Sequence, residues 1–272
     1  MLVRTVVGVL FAIVYLIFLV GLPPVWLAVA LAGVTALAAC ELLRAVKAAP
    51  RPYMYFCTAL AAAAVPIGFW AGVGGLVVYG GAMFLMITLF FTAIRHFEGA
   101  HEVRYDQIMV CLFGGLLVPV CLSALVQLRM MPNGRFLVLL PVICANLTDV
   151  GAYFVGMFLG KHRGITKVSP NKSLEGYIGG ILFGSVILML YGLILRQFAG
   201  LEVSMPILAL YGILGSAVTE LGDLSFSLIK RQNGVKDYGN LLPGHGGMMD
   251  RFDSTVFSAP TILVLVWLIP AF

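Results

Sequence analysis

Charge is scarce in this 272-residue chain: Asp, Glu, Lys and Arg make up only 11% of it, against about a quarter of a soluble domain. That scarcity excludes an ordinary water-soluble globule. There is no basic run and no interleaving of basic with aromatic residues, so the net charge of +5 does not point to nucleic acid, and no nucleic-acid partner is expected. The five cysteines, Cys40, Cys57, Cys111, Cys121 and Cys144, fall inside apolar runs without CxxC spacing. They read as small buried hydrophobes and supply neither a disulfide framework nor a zinc site. A cleaved leader is not expected either. Arg4 with its apolar run imitates a signal peptide, and Leu37 to Cys40 imitates a lipoprotein site. However, Cys40 lies beyond an apolar stretch far longer than a signal core, interrupted by Pro23 and Pro24. The N-terminal run is expected to be a membrane helix.

What the chain has instead is grease. Hydrophobic residues make up 61% of it and its mean hydropathy is +1.03, which predicts an all-α polytopic integral membrane protein. A bilayer core of about 30 Å needs about 20 apolar residues per helix. That ruler predicts nine spans: Thr5 to Gly21, Pro24 to Leu43, Tyr53 to Trp70, Gly75 to Ile94, Ile108 to Leu128, Phe136 to Leu159, Leu174 to Leu195, Pro206 to Ile229 and Ser254 to Pro270. Tight turns are expected at Gly21 to Pro24 and Ala71 to Gly75. Pro66 and Pro119 are expected to kink their helices, and Gly114, Gly115, Gly179, Gly180 and Gly184 to let helices approach. The whole, 1–272, is expected to be one membrane domain, with N-terminal helices over 1–94, middle helices over 95–160 and catalytic helices and loops over 161–272.

Nine spans put Lys and Arg on two sides unequally. Fourteen (Arg4, Arg44, Lys47, Arg51, Arg95, Arg104, Lys161, Arg163, Lys167, Lys172, Lys230, Arg231, Lys236, Arg251) share the side of the N-terminus, and Arg129, Arg135 and Arg196 lie opposite. By the positive-inside rule the N-terminus and the large charged loops face the cytoplasm. The loop from Arg95 to Gln107 reads as a solvated headgroup-level loop; a metal pair of His96 and His101 is a weaker reading.

Three carboxylates draw attention inside the predicted spans: Asp149, Glu220 and Asp223. Ionisable groups at membrane depth are costly and normally face a bundle interior or a watery cavity. Asn146 and Asp149, three residues apart, share a helix face, as do Glu220 and Asp223. The plain structural alternative is a set of interhelical hydrogen bonds. Upstream, Lys161, Lys167, Ser169, Lys172, Ser173, Glu175 and Gly176 form a basic loop leading into a helix that Ser173 should cap, without a capping box. Free N–H groups there, with Lys172 beside them, suit a phosphate.

The densest charge lies between Ser227 and Asp253, where Lys230, Arg231, Lys236, Asp237, His245, Asp250, Arg251 and Asp253 stand among five glycines, including Gly246 and Gly247. Glycines let a backbone approach phosphate oxygens, Lys and Arg neutralise them, and carboxylates spaced like Asp250 and Asp253 can hold a hard cation. A secondary transporter also uses intramembrane Asp and Glu, but no inverted repeat is visible and a proton relay needs no such loop.

The spacing of Ser227, Lys230, Arg231, Lys236, Asp237, His245, Gly246, Gly247, Asp250, Arg251 and Asp253 closely resembles the signature of the phosphatidate cytidylyltransferases, position for position. The segment from Ser169 to Gly176 resembles them too. It departs at Asn171, where a second Lys is usual, at Ser173, where Thr is, and at Leu174, where Trp is common. The resemblance implies transfer of a cytidylyl group from CTP to phosphatidate, with Mg²⁺ required, room for a second cation, a homodimer in the bilayer, and an active site facing the cytoplasm. In a bacterium this would be the inner or plasma membrane. It assigns the chemistry to Lys230, Arg231, Lys236, Asp237, His245, Asp250, Arg251 and Asp253; Asp223, shortly before Ser227 on the same predicted helix, is expected to join the catalytic set, with Asp223, Asp250 and Asp253 on the metal. Lys161, Lys167, Ser169, Lys172, Ser173, Glu175, Ser227, Gly246 and Gly247 are expected to bind substrate, and Asn146, Asp149 and Glu220 to support them. A CTP-dependent lipid kinase and a cytidylyltransferase for another lipid are the alternatives within the same chemistry.

Overall fold

A computed structural model describes residues 2–99, 102–164, 166–241 and 244–272. His101, Leu242 and Pro243 lie outside the described residues. The helices are α1 (Leu2–Leu16), α2 (Pro24–Ala45), α3 (Pro52–Trp70), α4 (Gly74–Arg95), α5 (Tyr105–Leu112), α6 (Val118–Met130), α7 (Gly134–Leu137), α8 (Leu139–Leu159), α9 (Leu174–Ala199), α10 (Met205–Gln232) and α11 (Met249–Leu268). Among the described residues eight helices are long and apolar enough to cross a membrane, and a shorter apolar helix covers Thr5–Gly21. The protein is a polytopic membrane protein, and each predicted span has its helix.

Two helix ends differ from the hydropathy reading. α10 runs to Gln232 and takes Lys230 and Arg231 into its last turn; α11 begins at Met249, so Asp250 and Asp253 sit on its first two turns and not at the end of a loop. The cause is the helix dipole, which welcomes cations at a C-terminus and carboxylates at an N-terminus. An apolarity ruler stops at the first charge, whereas the backbone does not.

The chain divides into two compact units, Met1–Arg135 with Gln232–Phe252, and Phe136–Arg231 with Asp253–Phe272. In the first, α2 and α3 pack closely and the buried Thr35 hydroxyl donates to Ala62 O at 2.9 Å across them. Leu43, Met54, Leu85, Leu89, Ile108 and Cys111 form its apolar centre. The tight turn after α3 is made by Gly72, whose φ of +77° is strained for residues bearing a Cβ. Pro119 lacks the N–H that Gly115 O would accept. The backbone answers with a wider π turn over Phe113–Leu117, in which Val118 N–H reaches back to Phe113 O. Gly114 and Gly115 lie in that turn, and a Cβ on either would stand 3.0 Å from Leu42, or from Leu85 and Thr58. Arg129, expected as a loop charge, ends α6 with a buried guanidinium that donates to Leu19 O at 2.8 Å and Leu22 O at 3.1 Å. It satisfies carbonyls left open where the first helix ends.

In the second unit α8 and α9 pack along most of their length. A Cβ on Gly179 would strike Val155, one on Gly184 would strike Ser216, and one on Gly212 would strike the Ser185 backbone. With no hydrophobic drive between helices in lipid, such close approach and interhelical hydrogen bonds hold the bundle. Thr148 donates to Ser216 at 2.7 Å, Ser258 to Pro141 O at 3.2 Å, and Tyr211 to Ile269 O at 2.6 Å. Outward faces carry large exposed apolar residues such as Phe158, Leu182 and Leu193, as lipid contact requires.

This packing makes opposite predictions for two helical glycines. Gly212→Val forces α9 and α10 apart, and overpacking of about 1–3 kcal/mol should lower the melting temperature in detergent by several degrees. Gly33→Ala, with no atom within 4 Å of the added carbon, should leave it unchanged or slightly raised.

Candidate functional site

Each unit holds its own cluster of charged groups. In the second unit the loop between α8 and α9 is folded by one carboxylate. Glu175 accepts the backbone N–H groups of Lys161 (3.1 Å) and His162 (3.2 Å), and pairs with the His162 ring at 2.6 Å. Ser173 caps α9 as expected, accepting Gly176 N–H at 3.1 Å, and Leu174 N–H donates to His162 O. This folding delivers Lys172 inward.

There its ammonium meets Asp223 at 2.7 Å, Glu220 at 2.8 Å and Asp149 at 4.0 Å. Burial alone would favour neutral Lys172, but the Asp223 and Glu220 carboxylates overcome it and hold the pKa above the ordinary lysine range. Glu220 is only 4% exposed, and its Oε1 is buried without a hydrogen-bond partner. The Tyr177 ring lies under Lys172, 5.4 Å from the ammonium.

This cluster forms the floor of a cavity of about 560 Å³, whose lining includes Tyr153, Met157, Arg163, Lys172, Tyr177 and Asp223. Its lining is largely apolar, with Tyr153 and Met157 of α8 exposed, and its ionic part is Asp149, Arg163, Lys172 and Asp223. Lys230, in the last turn of α10, approaches Asp253 in the first turns of α11 at 4.0 Å, both largely buried. Asn146, expected beside Asp149 in support, is exposed, and its amide donates to Val142 O within its own helix. Thr148, one residue before Asp149, makes the interhelical bond. Lys161 and Lys167 are exposed on the loop, Ser169 O accepts Lys172 N–H, and Ser227 is half-buried on α10.

In the first unit the signature loop closes on two carboxylates. Asp250 Oδ2 accepts Tyr238 N–H at 2.8 Å and Gly247 N–H at 3.0 Å. Gly246, at φ +76°, allows the loop to turn over that carboxylate. Lys236, Asp237 and Arg251 are exposed, and His245 is half-buried against Gly8 of α1.

The second carboxylate is Glu41, near the end of α2, buried to 6%. Its oxygens accept Met248 N–H at 3.0 Å and Met249 N–H at 2.8 Å. The sequence reading overlooked it, although it is a fourth carboxylate within a predicted span. Its signal was an ionisable residue inside an apolar run, close enough to Arg44 to pass for the edge of a loop.

All these acidic groups offer oxygen, the donor a hard cation prefers. Among the described residues, however, no three His, Cys, Asp or Glu side chains are grouped to hold an ion. Where Asp149, Glu220 and Asp223 gather, the Lys172 ammonium stands between them. Glu220 Oε1, left without a hydrogen-bond partner, is an oxygen donor of the kind a hard cation takes, while Lys172 already occupies the place between the carboxylates.

Residues 2–269 match the family described as the cytidylyltransferase family. The chain belongs to that family. It is 42% identical over 134 residues to the phosphatidate cytidylyltransferase of Staphylococcus epidermidis, covering 49% of this chain and 50% of that one. It is 35% identical over 163 residues to that of Bacillus subtilis (60% and 59%), and 41% identical over 138 residues to that of Synechocystis (51% and 45%). The matched stretch thus spans about half the length of these curated relatives.

The Lys172 cluster makes a prediction. Lys172→Met should lower thermal stability, by up to roughly 3 kcal/mol, and weaken substrate binding, while Lys172→Arg keeps most of the stability. A lysine held above its ordinary pKa contributes fully below about pH 10.5 and loses that contribution only as pH rises through its higher folded value. Between about pH 6 and 9 the ammonium itself therefore stays charged, and any pH dependence of the Met penalty comes from the carboxylates left without it. Equal melting temperatures for parent and Met variant would return Lys172 to a mere topology signal.

Proposed function

We propose that the protein transfers the cytidylyl group of CTP to phosphatidate, giving CDP-diacylglycerol and pyrophosphate. The observation that carries this reading is the cavity of α8 and α9, whose lining combines apolar surface suited to acyl chains with the cations Arg163 and Lys172 for phosphate and the carboxylates Asp149 and Asp223 beside them. The complete Ser227 to Asp253 signature and the named relatives support it. The reacting lipid phosphate oxygen attacks the α-phosphorus of CTP, the bond from that phosphorus to the bridging oxygen breaks, and pyrophosphate leaves. Such a transfer needs alignment and charge neutralisation more than proton movement. Lys172 and Arg163 would hold phosphate oxygens, with Lys230, Arg231, Lys236 and Arg251 as further cations. Mg²⁺ would neutralise the charge on the nucleotide phosphates; Asp250 and Asp253 are proposed as its ligands on the strength of the signature, Asp223 because it lies about one turn before that signature on the same helix, and a second cation and a homodimer on the resemblance alone.

Incubating the purified protein with labelled CTP and phosphatidate should yield CDP-lipid and pyrophosphate. Phosphorylated lipid with CDP would indicate a kinase, and no turnover would overturn the reading. In the same assay Asp223→Asn, Asp250→Asn and Asp253→Asn should collapse activity at low Mg²⁺, with partial recovery at high Mg²⁺ for a residue that only retains the metal. If all three keep the parental Mg²⁺ profile and lose only thermal stability, the metal assignment is wrong.

We also propose that the charged loops face the cytoplasm, which the unequal sharing of Lys and Arg supports. With the five native cysteines replaced, Asn240→Cys should react with a membrane-impermeant thiol reagent applied from the cytoplasm and Pro132→Cys with the reagent applied outside, both positions being exposed. The reverse pattern reverses the topology.

A further inference from the structure

A buried carboxylate that the reaction does not use sits against the signature loop. Glu41 reaches from α2 to the N-terminus of α11, and its two oxygens take the N–H groups of Met248 and Met249, which have no acceptor within the helix they begin. Around it the loop is shaped to its size. A Cβ on Gly239 would lie 2.6 Å from Glu41 Oε1, and one on Gly247 would strike Oε2. Neither glycine has a left-handed backbone, so the lack of a side chain at both is explained by the space the carboxylate takes.

The rest of the seat is apolar. Phe252 is buried edge-on against Tyr15 at 5.5 Å and Phe11 at 6.4 Å. Helices that carry no signature residue therefore hold the turn that carries Asp250 and Arg251.

We propose that Glu41 is a positioning residue for the cytidylyl transfer: as a cap supplied by another helix, it fixes the first turn of α11 and, through Gly239 and Gly247, the path of the signature loop. This rests on the cytidylyltransferase reading above. Each oxygen has one donor to satisfy. Glu41→Gln keeps the volume but turns an amide NH₂ toward one of the two N–H groups, so one bond becomes a repulsion. Glu41→Asp keeps the charge and withdraws it by one methylene. Neither change replaces a residue assigned to substrate or metal.

The test uses the full-length protein in detergent with CTP and phosphatidate, with amide hydrogen exchange read on the peptide covering Met248 and Met249. For Glu41→Gln, exchange at those amides should rise by on the order of tenfold or more. kcat should fall by up to about 100-fold, the scale of a misplaced catalytic element, with the KM for CTP little changed. Exchange in α3 and α9 should stay at the parental level, which a general loss of folding would not allow.

Gly239→Ala provides a second route if the Glu41 variant does not fold. Alone it should lower kcat, and in the Glu41→Asp background, where the shorter acid makes room, it should cost less. Unchanged exchange at Met248 and Met249, raised exchange with unchanged kcat, or Glu41→Asp and Gly239→Ala costs that simply multiply would each overturn the proposal. A parental protein that makes no CDP-lipid would sink the cytidylyltransferase reading instead, and exchange would still decide whether Glu41 holds the turn.

Discussion

A charge buried at membrane depth must have an opposite charge within reach, and Lys172 supplies it for the buried Glu220 and the half-buried Asp223, with the more exposed Asp149 at 4.0 Å. Without that ammonium, Glu220, Asp223 and Asp149 would face one another in a bundle that lipid surrounds on its outer faces. Breaking a buried pair by removing one partner is costly because the other charge remains. Much of the second unit follows from keeping this group in place. Glu175 folds the loop, Ser173 starts α9 at the right residue, and Gly180 and Gly184 bring α9 close to α8 and α10 so that Lys172 comes within reach of Glu220. The stabilising role of Lys172 and the phosphate-binding role proposed for it rest on the same ammonium charge.

The nine spans were legible because bilayer thickness is an external ruler that an apolar run either meets or does not. Helix ends were less so. Lys230, Arg231, Asp250 and Asp253 are charged and therefore read as loop, yet each lies at the helix end whose dipole favours its sign. Similarly, Pro119 was visible as a disturbance, while the π turn that absorbs it depends on where α3 and α4 press against Gly115.

The candidate charged residues could be named from the chain, whereas their partners could not. Lys172 is 48 residues from Glu220 and Glu41 is 208 residues from Met249, and no local pattern reports such distances. Only helix packing decides which acid meets which base. Arg129 makes the same point, since a cation counted as a topology signal turns inward to cap a helix more than 100 residues away.

The glycines of the signature invite a single explanation, close approach to phosphate, and the structure separates them. Gly246 needs its left-handed backbone to pass over the Asp250 carboxylate. Gly247 commits its N–H to Asp250 and its Cα face to Glu41, so in this arrangement its N–H is turned to a carboxylate. The proposed presentation of cations to a nucleotide requires a loop that is not loose, because each flexible residue adds an ordering cost to binding. Here Asp250 and Glu41 meet that cost during folding, accepting four backbone N–H groups between them. Acidic residues beside the proposed anion site would at first sight repel a phosphate. With both Glu41 oxygens and Asp250 Oδ2 turned onto the backbone, they instead stiffen the frame on which Lys236 and Arg251 remain exposed.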